Sequence, residues 1–183
     1  MIKHETLIKD LFVIEPKVYE DERGYFMESF KNKWFYDNIS KTKFIQENES
    51  KSTYGVLRGL HFQTNPCEQS KLVRVIKGKV LDVVVDLRIN SSTFGKTFSI
   101  ILSEKNKKQM FVPRGFAHGF LVLSKKAIFS YKVDQIYSPN HELGIIWNDN
   151  KLNIDWKINK NDIILSKKDQ SNITFDKYIQ KYL

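Results

Sequence analysis

The chain has 183 residues, 41% of them hydrophobic and 13% aromatic, with 8 Gly and 4 Pro; this suits one packed globular domain over residues 1–183 and excludes a disordered polymer. Its single cysteine, Cys67, excludes an intrachain disulfide and a cysteine-based zinc site, and fits a reducing cytoplasm. The net charge of +9 comes from lysines dispersed along the whole chain, with no nucleic-acid module among them, so it favours an anionic, phosphorylated small molecule over a nucleic acid. No apolar run is long enough to cross a bilayer, so no membrane association is expected.

In chain order, strands are expected at LFVIEP (11–16), KFIQENES (43–50), KLVRVIKG (71–78), KVLDVVVDLR (79–88), TFSIILS (97–103), QMFVP (109–113), GFLVLS (119–124) and AIFSYKVD (127–134). Helix is expected around KNKWFYDNI (31–39) and in pieces of the last 25 or so residues. Closely spaced short strands with polar or Gly/Pro-bearing turns predict an all-β sandwich or small barrel with a few short helices. In KVLDVVVDLR the period of two puts Leu81, Val83, Val85 and Leu87 on one, packed face and Asp82, Val84, Asp86 and Arg88 on the other, expected to be wet.

The segment PRGFAHGF holds Pro113, Gly115 and His118 in the spacing P-x-G-x-x-H, which resembles the second motif of the cupins, a jelly-roll superfamily. The first cupin motif supplies two histidines and a glutamate to a divalent metal. Here the matching stretch carries His61, then Gln63 in place of the second histidine, and Lys71 in place of the glutamate, with six residues between Lys71 and Gly78. An ammonium has donors and no lone pair, so it repels a metal ion. The expectation is therefore a metal-free pocket holding two imidazoles, an amide and a cation, suited to removing a proton and stabilising an oxyanion. A buried, hydrogen-bonded imidazole is the structural alternative for His61, and a solvated surface lysine for Lys71.

Longer motifs in order, GVLRGLHFQ, KLVRVIKG, PRGFAHGFLVLS, YKVDQIYSP and GIIWND, with EPKVYEDERGYFMESF, QEN, STFGK and LSKKD around them, resemble the dTDP-4-dehydrorhamnose 3,5-epimerase family of deoxysugar biosynthesis. The likeness runs from about Lys9 to about Gln170. It implies a cupin-type double-stranded β-helix, no metal or other cofactor, a homodimer, and inversion at C3 and C5 of a dTDP-4-keto-6-deoxyhexose. By motif, His61 matches the proton acceptor, Tyr131 the acid on the opposite face of the sugar, and Lys71 the group that polarises the C4 carbonyl. Asp169 matches the carboxylate paired with the catalytic histidine, and Asp82 is a rival for that place. Arg23, Glu28, Gln46, Asn48, Arg58, His118, Glu142 and Lys167 match substrate contacts, and Tyr137 matches an aromatic that stacks on the base. Glu47 stands where an Asp often occurs. Alternatives are a single C3- or C5-epimerase, a ketoisomerase, a metal-dependent cupin, or a binding module without proton exchange.

Overall fold

The computed structural model describes residues 1–182. In chain order its elements are β1 (Ile2–Glu5), β2 (Phe12–Glu15), β3 (Val18–Asp21), β4 (Gly24–Met27), α1 (Asn32–Asn38), β5 (Gln46–Thr53), β6 (Leu57–Gln63) and β7 (Lys71–Lys77). There follow β8 (Lys79–Asp86), β9 (Thr97–Ser103), β10 (Gln109–Val112), β11 (Phe116–Val122), β12 (Lys126–Val133), β13 (Glu142–Gly144), α2 (Lys167–Gln170) and α3 (Phe175–Tyr182). A six-stranded sheet in the order β1-β2-β10-β7-β12-β5 faces a five-stranded sheet in the order β13-β6-β11-β8-β9, and β3 and β4 form a separate hairpin. This is the antiparallel jelly roll that the resemblance implies, where the strand spacing alone predicts an all-β sandwich or small barrel.

Three apolar layers follow from the alternation of side chains along these strands. Between the sheets lie Val73 and Val75 of β7, Phe129 of β12, Val80 and Val84 of β8, and Phe116 and Phe120 of β11. Outside the six-stranded sheet, Phe35 of α1 packs on Ile14, Leu72 and Phe111. Outside the five-stranded sheet, Leu81, Val83 and Val85 are covered by Leu152, Trp156, Phe175 and Tyr178 of the C-terminal segment. Burying each such large apolar side chain contributes roughly 1.5–3 kcal/mol, and this anchors the segment that carries Asp169.

One sequence expectation is corrected here. The face of β8 that carries Asp82 is not wet: Asp82 and Asp86 are fully buried, because Val80, Asp82 and Val84 turn into the space between the sheets. β8 is an interior strand of its sheet, between β11 and β9, and is covered on both faces. The β3–β4 hairpin and β6 lie outside the expected strands for different reasons. The hairpin is charged and largely exposed, while the apolar period of β6 is broken by a bulge. No helix among the described residues is long and apolar enough to cross a membrane.

Candidate active site

That bulge builds one wall of the site. On β11, His118 pairs with His61 and Phe120 with Arg58, with a register shift between the two pairs, so one extra residue of β6 sits opposite β11. Strict alternation would send Arg58 and His61, an odd number of residues apart, to opposite faces; the extra residue brings both into the same cavity. Gly59 makes this possible. Its φ is +123°, and a Cβ there would lie 2.5 Å from the Gly119 Cα and 2.7 Å from the His118 carbonyl oxygen.

The cavity measures about 450 Å³ and is lined by residues of both sheets and of the C-terminal segment. That segment is laid alongside β6 by backbone bonds from Leu57 to the Ile164 carbonyl (3.0 Å) and from Ile164 to the Gly55 carbonyl (2.8 Å). It delivers α2, whose buried Asp169 reaches His61 and is held in turn by the N-cap Ser166. The Asp169 carboxylate Oδ1 lies 2.5 Å from His61 Nε2. Its Oδ2 accepts from the Ser166 hydroxyl at 2.7 Å, and Ser166 Oγ in turn accepts the Asp169 backbone N–H at 3.1 Å.

Burial pushes the Asp169 carboxyl up, but the hydrogen bonds from His61 and Ser166 outweigh it and hold the group below its ordinary value. An ionised carboxylate only accepts, so His61 donates through Nε2 and Nδ1 keeps the lone pair of a base.

The opposite wall belongs to the other sheet. Lys71 begins β7 and Tyr131 lies on β12, and both line the cavity. Desolvation pushes the half-buried Lys71 ammonium down to about 8, with Asp82 and Glu142 acting against the shift. Asp82 itself is raised by burial, against the pull of His118 and Lys71; its Oδ1 lies 2.9 Å from His118 Nε2. At the rim, Glu142 accepts from both Tyr137 and Lys168. These two contacts overcome its desolvation and keep the carboxyl low.

Of the residues singled out from the sequence, His61, Lys71, Tyr131, Asp169, Arg58, His118, Tyr137 and Glu142 converge on this cavity. The competition between Asp82 and Asp169 is resolved: Asp169 pairs with His61, and Asp82 with His118.

Gln63 is a correction. It shares the strand parity of His61, but β6 ends there and the next loop folds over the amide, which donates to the Cys67 and Ile136 carbonyls (2.5 and 3.2 Å) and accepts from the Ser138 N–H (2.6 Å). The amide in the cavity is Gln69, which donates to the Gln135 carbonyl at 2.5 Å.

Arg23, Glu28, Gln46, Asn48 and Lys167 do not line the cavity. Arg23 is paired with Asp21 at 2.6 Å in the exposed hairpin, and Glu28 with Lys31 at 3.2 Å. Lys167 is exposed, while its neighbour Lys168 holds Glu142. Sequence reasoning missed Ser50, Gln69 and Ser166; only Ser166 left a signal there, a serine three residues before an acid at a helix start.

Among the described residues no group of three or more His, Cys, Asp or Glu side chains is placed to hold a metal ion. A larger groove of about 840 Å³ lies near Phe62, Leu87, Arg88 and Tyr178. Its guanidinium is already spent on Asp86 and Asp10.

Known proteins match this chain along most of its length. The family model for dTDP-4-dehydrorhamnose 3,5-epimerase matches residues 5–177. The chain is 51% identical to the dTDP-4-dehydrorhamnose 3,5-epimerase of Shigella flexneri over 166 residues, covering 90% of this chain and 91% of that one. The crystal structure of the Elizabethkingia anophelis enzyme of the same name superposes with a TM-score of 0.93 at 51% identity, covering 97% of each chain. A Legionella pneumophila dTDP-6-deoxy-D-glucose-3,5-epimerase, solved in complex with dTDP-4-keto-L-rhamnose, superposes with a TM-score of 0.92 at 45% identity, covering 96% of this chain and 93% of that one. The chain belongs to the dTDP-4-dehydrorhamnose 3,5-epimerase family, with its cupin-type fold.

Proposed function

We propose that the cavity carries out the family's reaction, epimerisation at C3 and C5 of dTDP-4-dehydro-6-deoxy-D-glucose to dTDP-4-dehydro-L-rhamnose, by proton exchange between His61 and Tyr131. The protons next to the C4 ketone become acidic when the charge that develops on the carbonyl oxygen is stabilised. His61, oriented by Asp169, removes the proton; the electron pair moves into an enolate; Lys71 in its charged form holds the enolate oxygen. Tyr131 then returns a proton to the other face of the carbon, and its phenolate and the imidazolium exchange protons with solvent. No electrons are gained or lost.

The observation that carries this reading is that His61 hangs from β6 of one sheet and Tyr131 from β12 of the other, both lining one cavity. A base and an acid on facing walls reach opposite faces of a ring held between them. Returning the proton from His61 would restore the starting centre.

One cupin-like domain performs the chemistry. The chain works in the cytoplasm as a homodimer, in which Arg23 and Glu28 on and beside the exposed β3–β4 hairpin contact substrate bound in the neighbouring subunit. What supports the dimer is the position of these residues away from the cavity of their own chain, together with the exposed aromatic side chains of Tyr19, Tyr25 and Phe26 on the same hairpin.

The test is incubation of the purified chain with dTDP-4-keto-6-deoxyglucose, with the product followed by proton NMR. The expected product is inverted at C3 and C5. Inversion at one carbon only makes the chain a single epimerase, and a product with its ketone moved to C3 makes it a ketoisomerase.

A further inference from the structure

β5 is the outermost strand of its sheet, and a strand with one face on a core ordinarily alternates apolar inward with polar outward. In β5 Gln46, Asn48, Ser50 and Ser52 alternate with Glu47, Glu49, Lys51 and Thr53, so neither face is apolar. Gln46 pairs with Val133, Asn48 with Tyr131, Ser50 with Phe129 and Ser52 with Ala127, and directly opposed residues share a face of the sheet. Phe129 and Ala127 belong to the core between the sheets and Tyr131 packs against it. The inward face of β5 is therefore a stripe of four polar residues.

Three of the four have partners within the chain. Gln46 Nε2 donates to Asn48 Oδ1 at 2.7 Å, and Ser52 Oγ accepts from Arg58 Nε at 3.2 Å. Ser50 Oγ is buried with no hydrogen-bond partner among the described residues, and Ser50 lines the cavity beside Arg58. A buried hydroxyl that pairs with nothing costs stability, and alanine would occupy the same space without that cost. With the Arg58 Nε anchored on Ser52, the two terminal nitrogens of the guanidinium, the fork that binds phosphate oxygens, have no partner among the described residues. Arg58 forms no salt bridge among the described residues, in contrast to Arg23, Arg88 and Arg114.

We infer that Ser50 is a substrate-binding residue whose hydroxyl donates a hydrogen bond to the diphosphate of a nucleotide sugar, next to the Arg58 guanidinium. This rests on the nucleotide-sugar reading of the cavity. The diphosphate lies where the polar stripe meets Arg58, and Asn48 and Gln46 continue that stripe along β5.

The test is calorimetric titration of the full chain with dTDP, together with steady-state kinetics and thermal unfolding, for wild type and Ser50→Ala. The variant is expected to bind dTDP about tenfold more weakly, as for a hydrogen bond to a charged acceptor, with KM raised by a similar factor and kcat within about twofold. Its melting temperature is expected to be equal or higher, which a merely structural serine would not allow. Unchanged dTDP affinity in Ser50→Ala overturns the assignment, also when KM rises, because the contact is then to the sugar. A lower melting temperature with weakened binding overturns it in favour of a packing role. Failure of the wild type to bind dTDP overturns the nucleotide-sugar reading as well.

Discussion

Two imidazoles stand side by side on the neighbouring strands β6 and β11, each paired with a carboxylate, and the two carboxylates are tuned in opposite directions. In His61–Asp169 the ring is 29% exposed to the cavity and the carboxylate 4%; in His118–Asp82 the values are 8% and 0%. Asp169 has both oxygens occupied, by His61 and Ser166, and its carboxyl is held low. Asp82 has one oxygen on His118 and the other without a partner among the described residues, and burial raises its carboxyl. The same two side-chain types thus give a cavity-facing imidazole on a carboxylate held low, the base of the proposed mechanism, in one place and a buried pair in the other. What separates them is the number of hydrogen bonds reaching each carboxylate and the access of the ring to the cavity.

The sharpest way to break this contrast is to remove each member in turn. His61→Asn should lower the turnover rate about a thousandfold or more, within the range a positioned general base supplies, with little change in thermal stability. Asp169→Asn should follow with a loss on the order of a hundredfold, the lower end of that range. The amide would donate to Nε2 and force the ring proton to Nδ1, removing the lone pair. If His118→Phe lowered turnover as much as His61→Asn did, the two pairs would not have different roles.

The second pair should instead show itself in stability. His118→Phe leaves Asp82 buried without its donor and should cost roughly 3 kcal/mol in denaturant unfolding, the upper end for leaving a buried hydrogen-bonding group unsatisfied. An unfolding midpoint equal to that of the wild type would show that Asp82 is supported by something other than His118.

The smallest expected effect is on pH. In the proposed mechanism Lys71 stabilises the enolate only as a cation, and its group is pushed down to about 8. The charged form predominates below that pH and is lost above it, so kcat/KM should decline on the alkaline side with an apparent midpoint near 8 and approach a tenfold fall per pH unit. In Lys71→Arg, whose guanidinium stays charged, that limb should disappear. A wild-type profile flat to pH 10 would remove Lys71 from the role of oxyanion partner.

Much of this was legible in the chain, because strands bury alternate residues and motif spacing places neighbours. The strands at 71–77, 97–103 and 109–112 lie close to where composition put them, and His61, Lys71 and His118 meet as their motifs suggest. The choice between Asp82 and Asp169 was not legible: the pairing of His61 with a residue 108 positions away depends on how the C-terminal segment folds back over β6.

Gln63 misled for a related reason. Parity alone points it inward, but parity ends where the strand ends. Ser50 left no trace in the sequence, because β5 is polar at every position and only its register with β12 shows which of its residues face inward.

The central claim, a base and an acid acting from opposite sheets, is tested most directly by following deuterium uptake at C3 and C5 of the 4-keto sugar in deuterated water with His61→Asn and Tyr131→Phe beside the wild type. The expected result is uptake with inversion in the wild type, no uptake in His61→Asn, and in Tyr131→Phe uptake that outpaces inversion because the proton leaves but is not returned from the far side. Full uptake in His61→Asn, or inversion at the wild-type rate in Tyr131→Phe, would contradict it.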